Sequence, residues 1–175
     1  MKKWILAFFI FSIMLSSYSY TWEKLYSIEG ECEISFPNKP HHMKQVVPVQ
    51  DLNAFMNYDV YMSFVDDENS ICMMIVVDFP TEIDITKEKQ SLEGFINGVI
   101  NYKEDKKLLY ANFSEFNQLN ALDFLLESDN RFFKGKAIIA DSRLYLIAME
   151  YNSNLDLDKT FNKYIDSFNL KNHSN

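Results

Sequence analysis

Glycine and proline are scarce in this chain, with four of each among 175 residues. Loops that cradle phosphates need clustered glycines for positive φ and close backbone approach, and no such cluster occurs. Histidine is equally sparse, with three in all. Neither an HExxH motif nor a Cys/His run with zinc spacing is present. Basic residues are outnumbered, 17 Lys and Arg against 25 Asp and Glu, for a net charge of −8. An acidic chain without a basic stripe lacks the footprint that phosphate backbones and anionic lipid surfaces require, so no nucleic-acid partner is expected. Internal repeats, linkers and low-complexity stretches are missing too. What remains is apolar and aromatic: 47% hydrophobic and 15% aromatic residues, enough to bury a core, which excludes global disorder.

The first residues carry the clearest pattern. Lys2 and Lys3 are followed by an apolar run from Trp4 to Leu15, broken only by Ser12. That run is about a dozen residues, within the roughly 7–15 of a signal-peptide core and short of the about 20 that a spanning helix needs. Ser17 and Ser19 flank Tyr18 in a small-x-small arrangement, placing signal cleavage after Ser19. The expected division is therefore a signal peptide over 1–19 and one α+β domain over 20–175. Its location would be periplasmic or secreted, with no stable membrane span after cleavage. The bulky Tyr18 and Tyr20 leave a retained anchor as the alternative.

Export makes a disulfide between Cys32 and Cys72, the only two cysteines, chemically possible. Closing the loop between them would stabilise by about 3–4 kcal/mol in the chain-entropy model. Both also sit in apolar runs where a free thiol behaves as a small buried hydrophobe, so either state fits.

Strand patterns dominate the rest. Cys32, Ile34 and Phe36 alternate with Glu31, Glu33 and Ser35, and Pro37 to Pro40 end that strand. A short irregular strand over His41–Val49 follows, then one long or two short strands over Leu52–Val65. A polar tip at Asp66–Ser70 leads into the apolar run Ile71–Val77, suited to a strand covered on both faces. The period then becomes helical, with Thr86 as N-cap and Leu92, Phe95, Ile96, Val99 and Ile100 on one face. Gly94 and Gly98 lie inside this helix, which is either solvated there or approached closely by another segment. Four more strands follow, Leu108–Phe116, Ala121–Glu127, Phe132–Ala140 and Arg143–Tyr151, with tight turns at Asp129-Asn130 and Asp141-Ser142. Asp156 is expected to cap a last amphipathic helix bearing Leu157, Phe161, Tyr164, Ile165 and Phe168. The fold class is α+β: an antiparallel sheet of six to seven strands covered by two main helices.

Three stretches then resemble a known pattern. Cys32-Glu33-Ile34-Ser35-Phe36-Pro37-Asn38-Lys39-Pro40 resembles the opening of uncharacterised secreted bacterial domains, with Cys32 at its first apolar position. The hairpin Asp141-Ser142-Arg143-Leu144-Tyr145 and the ending Ser167-Phe168-Asn169-Leu170 complete the likeness, over residues 22–170. The layout is similar to the PsbP-like fold, an α/β/α sandwich around an antiparallel sheet. That resemblance implies a non-catalytic accessory or binding role and assigns no residue a function.

Candidate chemistry is thin. His41 and His42 are adjacent, so on a strand they point to opposite faces and cannot readily share a metal; His173 lies in the tail. Asp66, Asp67 and Glu68 lack the ligand alternation and glycine of a calcium loop and suit a solvated tip. No G-x-S-x-G elbow occurs. The aromatics Tyr58, Tyr61, Phe64, Phe132, Phe133, Tyr145 and Tyr151 either fill the core beneath two helices or form an open apolar face. The sequence thus points to a protein without cofactor or catalytic site, acting on an envelope protein or, alternatively, carrying an apolar small molecule between sheet and helix.

Overall fold

The computed structural model describes residues 22–49, 53–65, 69–102 and 105–171. The signal segment with Ser19, the Asp66–Glu68 tip and His173 lie outside the described residues. Ten strands and two helices follow in chain order: β1 Glu23–Ser27, β2 Cys32–Phe36, β3 His41–Val49, β4 Ala54–Val65, β5 Ser70–Asp78, α1 Glu88–Asn101, β6 Lys107–Phe116, β7 Leu119–Ser128, β8 Arg131–Ala140, β9 Arg143–Asn152, α2 Asp158–Asp166 and β10 Asn169–Leu170. Seven strands form one antiparallel sheet in the order β3-β4-β5-β9-β8-β7-β6, and β1-β2-β10 form a second, three-stranded one.

Hairpins fix the order within the large sheet. Tight turns need positive φ, and it falls on Asp129 (50°), Asn130 (60°) and Asp141 (54°), where the sequence places turns, and also on Asn53, Asn117 and Gln118. β3–β4–β5 and β6–β7–β8–β9 are two such meanders, joined where β9 settles beside β5. The chain leaves the sheet at β5 and re-enters at β6, the far edge. The crossover therefore runs over β9, β8 and β7, and α1 comes to rest against β6, β7 and β8. Leu92 and Ile96 anchor it, meeting Leu122, Phe124 and Leu126 of the sheet.

The opposite face is closed by the small sheet and α2. Alternation sends Tyr61, Cys72, Met74, Tyr145, Ile147 and Met149 into this second core, where they meet Ile34, Phe36, Phe161 and Tyr164. Phe36 and Tyr164 sit with ring centroids 5.3 Å apart. Tyr145 donates a 2.9 Å hydrogen bond to the Gly30 carbonyl, tying β9 to the β1–β2 turn.

Several local expectations need correction. The α1 N-cap is Lys87, without a side-chain bond, because Thr86 instead donates its backbone N–H and hydroxyl to Asp84 Oδ1 in a preceding turn. Leu157, not Asp156, occupies the α2 N-cap; Asp156 Oδ1 accepts from the Asp158 N–H at 3.4 Å from one residue further out. β3 is regular rather than irregular, with all nine residues in register against β4. β1 and β10 are additional strands. Gly94 and Gly98 have nothing within 4 Å of a would-be Cβ, so that helix face is open; the closely approached glycines are Gly135, beneath the Phe124 ring, and Gly30, beside Ser27 Oγ.

The two cysteines share one core but not a bond. Both are free, buried thiols. Cys32 on β2 donates toward Met74 Sδ at 3.8 Å, while Cys72 on β5 lies across from Ser63 and Met149. Burial pushes each thiol up to about 12, so neither is a nucleophile near neutral pH.

Candidate functional site: an open apolar groove and a charged cleft

Because α1 lies over β6–β8, no helix among the described residues covers the same face of β3, β4 and β5. The result is a groove of about 700 Å³. Its floor is Met56, Tyr58 and Val60 of β4, Ile75 and Val77 of β5, and Leu144 and Leu146 of β9. Phe95 of α1 forms one wall. The opposite wall is the Phe79–Ile83 segment, held by bonds from the Phe79 N–H to Ser142 O (2.8 Å) and from the Ile83 N–H to Asp141 O (3.2 Å). Not one lining residue is charged; Gln45, Thr81 and Ser91 are the polar members beside the Tyr58 hydroxyl. In a chain that is 24% charged this lining is distinctly apolar, and Met56, Tyr58, Val60 and Ile75 remain partly open to solvent within it.

The other face of the same strands carries the charges. A cleft of about 470 Å³ lies between the β1–β2 turn and the sheet, lined by Glu29, Glu31, Lys44, Asp59, Asp78 and Arg143. Asp59 is only 4% exposed. It accepts a 2.6 Å hydrogen bond from or shares one with His42 Nε2, and Lys44 Nζ lies 3.7 Å away. Lys44 also pairs with Glu29, whose hydrogen bond holds the ammonium more firmly protonated. Arg143 Nε donates to Asp78 Oδ1 at 2.6 Å and its Nη1 is 3.5 Å from Glu31. Burial opposes the guanidinium charge, but the bonds to Asp78 and Tyr145 outweigh it and hold Arg143 fully charged. The His42 ring stacks on Tyr61 at 4.2 Å, almost parallel.

The contacts in this cleft are ion pairs and hydrogen bonds. Among the described residues His42 bonds to Asp59, whereas Ser27 Oγ contacts the Tyr61 hydroxyl at 3.3 Å and accepts from the Gly30 N–H. His42 and Ser27 are therefore not joined. His41, on the opposite face of β3, is separated from His42 as its position on a strand demands. No group of three or more His, Cys, Asp or Glu converges among the described residues. No described helix is long and apolar enough to cross a membrane.

The aromatics divide between the two faces. Tyr61, Tyr145 and Tyr151 fill the core under α2, Phe133 packs with the α1 core, Tyr58 floors the groove, and Phe64 is exposed. The face each aromatic takes depends on where α1 lands, which local sequence does not specify. The His42–Asp59 pair was likewise out of reach, because it needs the β3–β4 register.

No family model and no curated relative matches the chain. Among solved structures, the solution structure of cyanobacterial PsbP (CyanoP) from Synechocystis sp. PCC 6803 superposes with a TM-score of 0.60. The fold is PsbP-like. The match covers 89% of this chain and 95% of that one at 11% identity. At that identity the likeness concerns the PsbP-like architecture alone. The groove and the charged cleft are features of this chain's own residues on that architecture.

Proposed function

We propose that the chain is an exported, non-enzymatic protein of the cell envelope that acts by binding another protein through the apolar groove beside α1. The observation that carries this reading is the uncharged lining of a groove left open along β4 and β5. Apolar surface of that kind, on a chain whose net charge is −8, gains free energy when a partner excludes water from it. The Lys2–Ser19 pattern supports the envelope as the setting. The accessory role implied by the resemblance supports binding over catalysis. Co-purification from envelope extracts of the host tests it, comparing the natural chain with Val60→Lys, which places a charge in a half-exposed groove position. A specific protein recovered by the first and lost by the second is the expected result. Repeated recovery of a partner by both, or of no partner by either, would sink the reading.

A second reading rests on the volume. About 700 Å³ falls within the roughly 300–1,000 Å³ of small-molecule sites, so a single apolar ligand would fit between sheet and helix. Its weakness is the open side, since such sites normally enclose most of their ligand. Native mass spectrometry of protein from the host decides: a bound small mass supports the carrier, and its absence together with no thermal shift across lipids and hydrophobes removes it.

A further inference from the structure

The two edges of the large sheet are treated differently. β6, at one edge, has a register shift between Leu108 and Tyr110 in its pairing with β7. Such a bulge twists an edge and discourages further strand pairing. β3, at the other edge, pairs with β4 without a break over nine residues. Among the described residues its guards are Pro48, near one end, and Lys44, which Glu29 and Asp59 draw toward the cleft and away from the rim. Met43 and Val46 stand 53% and 60% exposed along it. A long, regular, partly apolar edge is a template for another strand.

The side chains next to that edge state what the added strand should carry. On one face, β3 borders the uncharged groove through Gln45 and Val49; on the other it borders the cleft through Lys44 and Val46. The cleft holds four carboxylates, Glu29, Glu31, Asp59 and Asp78, against the two cations Lys44 and Arg143. A strand that extends both faces should thus alternate apolar residues on the groove side with basic ones on the cleft side. β3 itself carries part of this pattern: Met43, Val47 and Val49 stand on the groove side with His41 and Gln45, and His42 and Lys44 on the cleft side with Val46 and Pro48.

We infer that β3 pairs antiparallel with β3 of a second copy, joining the two seven-stranded sheets across a two-fold axis. Full overlap of His41–Val49 with itself puts Gln45 on the axis. Met43 then lies opposite the other copy's Val47, and Lys44 opposite its Val46, so that no charge faces a like charge. The same patch serves both copies, as a two-fold interface requires. Each Lys44, paired with Glu29 and Asp59 of its own cleft, lies beside the neighbouring copy's Val46, and each Met43 lengthens the neighbouring groove. This pairing is independent of the partner proposed for the groove.

The test is sedimentation of the exported protein across a concentration series, with hydrogen exchange read strand by strand. Reversible dimers, with amide protection that grows with concentration along β3 and not along β6, are expected. Two surface variants fix the register without touching the core. Val46→Lys sets a like charge opposite each Lys44 and should weaken association roughly tenfold, while Val46→Glu should strengthen it. A monomer at every concentration overturns the inference. So does a dimer that protects β6 or α1 instead of β3, protection of β3 by a different protein, or the same response to Lys and Glu at position 46. Co-purification through the groove, judged with Val60→Lys, stands or falls separately.

Discussion

Gly135→Ala is the substitution that interrogates the α1 core most sharply. Gly135 lies on β8 opposite Phe124 on one side and Ala148 on the other. A Cβ built there would sit 2.5 Å from Phe124 Cζ, 2.8 Å from Phe124 Cε1 and 3.2 Å from Ala148 Cβ. Phe124 is fully buried and is itself braced by Phe95 and Phe133, at centroid distances of 6.2 and 5.4 Å. The ring therefore cannot swing away without disturbing the α1 contact. Overpacking of this kind costs about 1–3 kcal/mol. Lower chain entropy in the unfolded state returns about 0.4–1 kcal/mol. The net is a loss of about 1 kcal/mol, or a Tm lowered by about 2–4 °C for a chain of this size. Urea titration should show the midpoint falling with an unchanged slope. Trimming the ring in Phe124→Leu should recover part of the loss, so the double variant is more stable than the two single effects predict by at least about 0.5 kcal/mol. A neutral or stabilising Gly135→Ala, or strict additivity with Phe124→Leu, would refute the packing assigned to this face.

Two further outcomes follow from the other core. The Tyr164 hydroxyl is buried and without a hydrogen-bond partner among the described residues, so Tyr164→Phe should leave stability unchanged or raise it by about 1 kcal/mol; a loss greater than that in urea titration would mean the hydroxyl is satisfied. Cys32 and Cys72, with thiols pushed up to about 12, should resist alkylation at pH 8 in the folded protein and react together once it is unfolded; an intact mass lower by two thiol hydrogens would show a bridge instead.

Much of the fold is legible in the residues because local signals and tertiary outcome agree. Leu92 and Ile96 at helical spacing, the Ile71–Val77 run, and the Asp129-Asn130 and Asp141 turns each state a local preference that the packing then uses. β1 has weaker cues: Lys24 and Tyr26 are both exposed, and Tyr26 carries Lys24 and Lys171 over its ring rather than entering the core. β10 is two residues long and exists through its pairing with Glu33 and Cys32, far earlier in the chain. The groove was visible only as an excess of aromatic and β-branched residues on β4 and β5. Its openness is a consequence of topology, because the crossover from β5 to the far edge carries α1 past those strands.

The most direct test of the groove as a protein-binding surface is site-specific photo-crosslinking in the living host. A benzophenone side chain placed at Ile83, on the groove wall away from β3, should give a discrete adduct with a different envelope protein. The same group at Tyr26, 56% exposed on the β1–β2 sheet at the opposite face, should not. An Ile83 adduct confined to small molecules, or equal capture from both positions, would contradict the account.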